Sequence, residues 1–149
     1  MTDLLVDLGG THCRVGLGDN TGLLPETVAS LRNADFPDLP GLLQSYLTAQ
    51  RPGPLRALCA GVAGPVRGDT AQLTNHAWHI EAGTLAQATG AQTVHLLNDL
   101  QAQGFALDTL APGTLTALRH GTPDSKGARL VLGLGTGCNV AVAHRIGET

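Results

Sequence analysis

The chain has 149 residues, a hydrophobic fraction of 42%, a charged fraction of 14% and a formal net charge of −3. That is about one ordinary domain with a real core, and the composition excludes a disordered chain. The absence of a basic run argues against nucleic acid as the main partner, and no apolar stretch approaches the roughly 18 residues needed to span a bilayer. The opening MTDLLVDLGG has neither a basic n-region nor an apolar h-region, so no secretory signal is expected and a cytoplasmic location is.

In chain order, the pattern predicts a strand over 3–8, a turn at 9–11, a strand over 12–18 and a third strand near 26–31. A helix is predicted over 38–50, with Asp38 as its cap and Leu42, Leu43, Tyr46 and Leu47 at helical spacing. Arg51-Pro52-Gly53-Pro54 stops it. An apolar strand over 55–63 is closed by Gly64-Pro65, and a short strand near 70–74 precedes a loop over 75–79. A helix over 81–89 ends at Gly90, followed by a buried strand over 93–97 and a helix over 100–107. Residues 113–125 are polar and turn-rich, and 130–143 read as a second hairpin. An antiparallel opening followed by alternating helix and strand predicts an α/β domain with a mixed sheet. The closing hairpin reads as the opening of a second, similar domain that these residues do not complete. Cys13, Cys59 and Cys138 each lie in an apolar strand-like run, too far apart for a metal site, and read as buried free thiols.

Two glycine turns carry the strongest chemical signal. The first, LLVDLGGTHCRVGLG, has Asp7, Gly9, Gly10 and Thr11 at its tip; the second, LVLGLGTGCNVAVA, has Gly133, Gly135, Thr136 and Gly137. Glycine lets backbone N–H groups approach an anion without an intervening Cβ. Neither turn has the Lys-Ser/Thr of a Walker loop, and strands rather than helices follow both, so a dinucleotide fingerprint is also excluded. Ordinary hairpin turns would explain either one alone. A Gly-Thr pair at both tips favours a clamp on a polyphosphate, with Asp7 as a candidate metal ligand.

Asn98-Asp99 stands at the end of the 93–97 strand and the start of a helix. Both residue types are preferred helix caps, yet ligands of open α/β sheets sit beyond the carboxyl ends of strands. Asp99 is thus either a cap or a general base that accepts a proton from a hydroxyl. The segment GVAGPVRGD at 61–69 has the glycines and proline of a tight turn, and leads to LTNHAWH at 73–79, which holds the single Trp. His76 and His79 without a third ligand are a weak metal signal.

Taken in order, Asp7-Leu8-Gly9-Gly10-Thr11 with Arg14, AGPVRGD at 63–69, LTNHAW at 73–78, LLNDLQAQGFAL at 96–107 and GLGTG at 133–137 resemble the N-terminal portion of a bacterial glucokinase, in the hexokinase/actin-like ATPase superfamily. The resemblance implies a ribonuclease H-like, actin-type ATPase domain with a mixed five-stranded sheet. It divides the chain into a small sugar-kinase domain over 1–110 and the truncated start of a large C-terminal domain over 111–149. It implies ATP-dependent phosphorylation of glucose to glucose 6-phosphate in glycolysis, with Mg²⁺. Val6, Asp7, Leu8, Gly9, Gly10 and Thr11 would form the first phosphate loop, Asp7 lying near the Mg²⁺, and Gly135, Thr136 and Gly137 the second. Asn98 and Asp99 would bind sugar hydroxyls, with Asp99 the base for the 6-hydroxyl, and Asn75 would lie near the sugar. The implied partners are glucose and ATP, not nucleic acid or a membrane, and a homodimer is compatible with the family. His12 and Asn139 depart from the family's usual Asn and Gly. The family's Glu-Gly-Gly-His sugar segment and adenosine pocket do not occur within the 149 residues. The alternative is therefore a truncated, catalytically silent fragment or a sugar-binding regulator.

Overall fold

The computed structural model of the chain describes residues 1–74, 76–111, 113–122, 124, 127–134 and 138–143. The chain divides into two compact units, Met1–Asp99 and Leu100–Thr149.

The first unit runs β1 (Thr2–Leu8), β2 (His12–Asp19), β3 (Gly22–Arg32), a 3-10 turn (Asn33–Asp35), α1 (Leu39–Gln50) and β4 (Leu55–Val62). It continues through three short strands, β5 (Val66–Arg67), β6 (Thr70–Gln72) and β7 (His79–Glu81), to α2 (Ala82–Thr89) and β8 (Thr93–Asn98). Five strands form one mixed sheet in the order β3-β2-β1-β4-β8. β1, β4 and β8 are parallel, while β1–β2 and β2–β3 pair antiparallel. The expected mixed five-stranded α/β sheet is the observed one.

Alternation along the strands decides which face is buried. Leu4, Val6 and Leu8 of β1, Cys13, Val15 and Leu17 of β2, and Leu58, Ala60 and Val62 of β4 enter the core. α1 adds Leu39, Leu42, Leu43 and Tyr46, an i, i+3, i+4, i+7 stripe. Burying each of these leucines stabilises the unit by about 1.5–3 kcal/mol before entropy is counted. Asp38 caps α1 as expected, its Oδ1 accepting from the Gly41 N–H at 2.7 Å. Arg51 ends the helix in the left-handed region at φ 49°, and Gly90 ends α2 at φ 73°. α1 and α2 lie against each other, with Gln44 Nε2 donating to the Ala88 carbonyl at 3.4 Å.

Three sequence expectations change. The strand near 26–31 begins at Gly22, because Asp19 Oδ1 gathers the Thr21 N–H and hydroxyl into a tight turn that starts the pairing at Asp19 opposite Gly22. A register shift between Val15 and Leu17 interrupts this ladder, and Thr27 repairs it. Its hydroxyl accepts from the Leu17 N–H at 2.9 Å and donates to the Leu24 carbonyl at 2.6 Å, while Tyr46 donates to the Thr27 carbonyl at 2.8 Å. The strand near 70–74 ends at Gln72, and His79 belongs to a strand rather than a loop. Leu73 donates to the Trp78 carbonyl at 3.3 Å, which folds the chain back so that Ile80 pairs with Ala71. Finally, only Cys13 of the three free cysteines is buried; Cys59 is half-buried, on the opposite sheet face, and Cys138 is exposed.

α3 (Asp99–Ala106) begins at the last residue of the first unit. The second unit continues with a 3-10 turn (Leu107–Thr109) and the antiparallel pair β9 (Arg129–Leu134) and β10 (Cys138–Ala143). The predicted hairpin is present, Leu134 pairing with Cys138. At Gly133 the space is tight: a Cβ would lie 3.2 Å from Leu100 Cδ2, so that leucine would have to shift by a few tenths of an ångström. Leu130, Leu132, Leu134, Val140 and Val142 remain exposed on the pair.

Candidate active site

The parallel strands bring three segments of the first unit to one edge of the sheet. In register, Leu8 of β1 stands beside Val62 of β4, and Val62 beside Asn98 of β8. The first glycine turn, the Ala63-Gly64-Pro65 turn and Asn98-Asp99 therefore leave the sheet together at its carboxyl edge, where open α/β sheets bind ligands.

Hydrogen bonds to backbone carbonyls tie these segments. Ala63 N–H donates to the Leu8 carbonyl at 2.9 Å, and Asn98 Nδ2 donates to the Gly64 carbonyl at 3.1 Å. Gly64 has no room for a side chain, since a Cβ would sit 1.9 Å from the Gln72 carbonyl oxygen. Thr74 N–H donates to the Ala63 carbonyl at 3.0 Å, and the Thr74 carbonyl oxygen lies 3.7 Å from where a Gly10 Cβ would be. The segment after Gln72 thus rests beside the first glycine turn. Trp78 anchors it, buried, with Nε1 donating to the Pro37 carbonyl at 2.9 Å. His76 meets the Trp78 ring edge-on at 4.7 Å, and its buried Nδ1 has no hydrogen-bond partner among the described residues.

Within the first turn, Gly9 closes the loop by donating to the His12 carbonyl at 3.0 Å. Its N–H is thereby spent internally and is not a donor for a ligand. The N–H groups of Gly10 and Thr11, both exposed, have no partner among the described residues. They are the two backbone donors that the turn leaves available, the kind of paired N–H groups that suits an anion.

Val6 and Leu8 point into the core, and their backbone lies in the ladders of β1 with β2 and β4, so neither presents a side chain to a ligand. Asp7 lies between them on the opposite face, 58% exposed, with Oδ2 3.3 Å from Arg14 Nη1 on the paired strand. No group of three or more acidic, His or Cys residues is gathered among the described residues. One accessible carboxylate, paired among the described residues only with the exposed Arg14 and one strand-end away from the turn's available N–H groups, fits the donor set of Mg²⁺, which keeps several waters and shares its coordination with phosphate oxygens. It does not fit a metal that needs a complete protein cage.

Asn98 and Asp99 are half-buried, and Asp99 is the first residue of α3. Asp99 therefore stands one position inside the helix and Asn98 at the position before it. Cys13, directly after the turn, is no nucleophile: burial, aided by the nearby Asp7 charge, pushes its thiol up to about 12. Asn75, Gly135, Thr136 and Gly137 lie outside the described residues.

One residue escapes a reading of the sequence. Asn33 is 1% exposed, and its Nδ2 donates to the Gly9 carbonyl at 2.8 Å while its backbone N–H donates to the Thr11 carbonyl at 2.9 Å. In the sequence it sits in Asn-Ala-Asp-Phe-Pro, an unremarked turn; only the pairing of β2 with β3 brings it behind the glycine loop.

The family model described as Glucokinase matches residues 4–149. The chain is 37% identical over 142 residues to a glucokinase of Nostoc punctiforme, covering 92% of this chain and 41% of that protein. It is 32% identical over 143 residues to one of Saccharophagus degradans, covering 93% of this chain and 44% of that protein. The chain thus spans about two-fifths of the length of these relatives. Among solved structures, a glucokinase from an Antarctic psychrotroph superimposes with a TM-score of 0.83 at 28% identity, covering 97% of this chain and 46% of that one. A ROK family glucokinase from Streptomyces griseus, solved with glucose and AMPPNP, shares the fold with a TM-score of 0.65 at 21% identity, covering 99% of this chain and 47% of that one. The fold is that of the ROK-type, actin-like sugar kinases, and the chain belongs to the glucokinase family.

Proposed function

We propose that these residues supply the sugar side and the first phosphate loop of a kinase that transfers the γ-phosphoryl group of ATP to the 6-hydroxyl of glucose, in the cytoplasm and at the entry to glycolysis. In this reading residues 1–110 belong to the small domain and 111–149 open the large one. The observation that carries it is the convergence of the Gly10 and Thr11 N–H groups, the Gly64 turn and Asn98-Asp99 on one carboxyl edge. The family assignment and the glucose and AMPPNP held by the Streptomyces griseus protein support it.

Asn98 orients a sugar hydroxyl, and Asp99 takes the proton of the 6-hydroxyl as its oxygen bonds to the γ-phosphorus and the bond from that phosphorus to the ADP oxygen breaks. The Gly10 and Thr11 N–H groups hold phosphate oxygens. Asp7 would hold Mg²⁺, whose charge offsets that of the phosphates. Asn75 would contact the sugar, and Gly135, Thr136 and Gly137 would complete the phosphate clamp.

One observation favours a second reading, that the 149 residues alone bind sugar without transferring phosphate: they span 41% of the length of the Nostoc relative. Glucose and MgATP, titrated separately into the ¹⁵N-labelled chain, distinguish the outcomes when glucose 6-phosphate is assayed in parallel. Product that falls by about 10²–10⁴-fold in Asp99→Asn supports the kinase reading. Amide shifts at Asn98 and Asp99 with glucose, without product, select the binding fragment. No shift with either ligand would overturn both.

A further inference from the structure

We infer that Asn33 is a positioning residue of the first phosphate loop: it holds the Gly9 carbonyl inward and thereby presents the Gly10 N–H to the phosphates. The inference rests on reading this turn as a phosphate loop.

The argument begins with the peptide unit. In a trans peptide the carbonyl of one residue and the N–H of the next point in opposite directions. No cis peptide occurs among the described residues, so the Gly9–Gly10 unit is trans. The Gly9 carbonyl accepts from Asn33 Nδ2 at 2.8 Å on the buried side of the loop. The Gly10 N–H of the same unit must therefore point away from Asn33, to the exposed side, where it has no partner among the described residues. The Asn33 backbone supplies a second tie, donating to the Thr11 carbonyl at 2.9 Å, so both ends of the tip are fixed to one buried residue. On the other flank the Gly9 N–H is held by the His12 carbonyl at 3.0 Å. Without these bonds the Gly9–Gly10 plane would be free to rotate, since glycine on both sides removes the steric limits that fix other residues.

The choice of asparagine is informative. A carbonyl accepts only, so the amide nitrogen must face Gly9 and the amide oxygen must face elsewhere. That oxygen, Oδ1, is buried with no hydrogen-bond partner among the described residues. A buried acceptor without a partner is destabilising, and an apolar residue or Ala would avoid the cost. The amide makes sense here as a donor aimed at the Gly9 carbonyl. Aspartate, of nearly the same shape, would place a carboxylate oxygen against that carbonyl and repel it.

The test uses the ¹⁵N-labelled chain with MgATP and, separately, glucose as probes. In the wild type, MgATP should slow hydrogen exchange at the Gly10 amide. Asn33→Asp and Asn33→Ala should each weaken MgATP by about tenfold or more, the loss of a hydrogen bond to a charged group, while glucose affinity changes less than about twofold. The unchanged glucose arm shows that the sheet edge is intact, and Asn33→Ala carries the test if the carboxylate prevents folding. Wild-type MgATP affinity in both variants would overturn the role of Asn33 and leave the phosphate-loop reading standing. MgATP binding by the wild type without protection of Gly10 would overturn it as well. Failure of the wild type to bind MgATP would remove the phosphate-loop reading, and this inference with it, before any variant is made.

Discussion

The side-chain amide of Asn98 donates to the Gly64 carbonyl across 3.1 Å, joining the end of β8 to the turn that leaves its neighbour β4. Asn98→Asp keeps the size of the side chain but puts an acceptor against that carbonyl. Glucose affinity of the variant chain should fall by about tenfold or more, measured by amide-shift titration. Unchanged affinity would mean that this contact does not shape the sugar side.

Gly64→Ala should destabilise the chain by about 2 kcal/mol or more, because the new Cβ would sit 1.9 Å from the backbone oxygen of Gln72 and one of the two segments must move. Gly53→Ala is the matched control, with open space around its Cβ, and should stay within about 0.5 kcal/mol of wild type. Urea midpoints of the three proteins check this. Equal midpoints for the two variants would refute the close packing of the turn.

Stability should fall at alkaline pH through Cys13. Burial, then the Asp7 charge, raises its thiol from 9.0 to about 12. The folded chain therefore keeps a proton that the unfolded chain loses above pH 9.0, so stability present below 9.0 declines as pH rises towards 12, by about 1.4 kcal/mol per pH unit at most. Cys13→Ala should show a shallower alkaline limb than wild type in urea unfolding. Parallel limbs would show that this thiol titrates normally in the folded chain.

The acid limb carries the opposite sign. Arg56 reaches from β4 to Asp3 on β1, with Nε donating to Oδ1 at 2.9 Å and Nη2 donating to Oδ2. The hydrogen bond from Arg56 holds the Asp3 carboxyl below its ordinary 3.8, against a smaller opposing effect of burial. Its contribution is present above 3.8 and is lost as pH falls through the lower folded value. The effect is small, since the Arg56 side chain is 45% exposed. Asp3→Asn should melt below wild type at pH 7, and the gap should close in acid; a gap independent of pH would assign the loss to packing instead.

Much of this architecture is legible in the sequence because its signals are local. Asp38 three residues before Gly41, Gly90 after a helical stripe, and alternating Leu4, Val6 and Leu8 each announce their own conformation. The glycine turn and Asn98-Asp99 are visible in the same way. What sequence reading misses is long-range. β7 exists only because Leu73 and Trp78 close a turn that lets Ile80 reach Ala71. Asn33 looks like any turn asparagine until β3 carries it behind Gly9. The spending of the Gly9 N–H on His12 is a matter of turn geometry that residue types do not encode.

The parallel pairing of β1, β4 and β8 also divides the edge by the sequence separation of its contacts. The first glycine turn is the tip of a hairpin between neighbouring strands, a contact of short sequence separation that closes quickly. The Gly64 turn and Asn98 reach it only after two long crossovers have closed, each at a greater loop-entropy cost. The glycine-turn half of the edge therefore rests on contacts close in sequence and the Asn98-Asp99 half on distant ones.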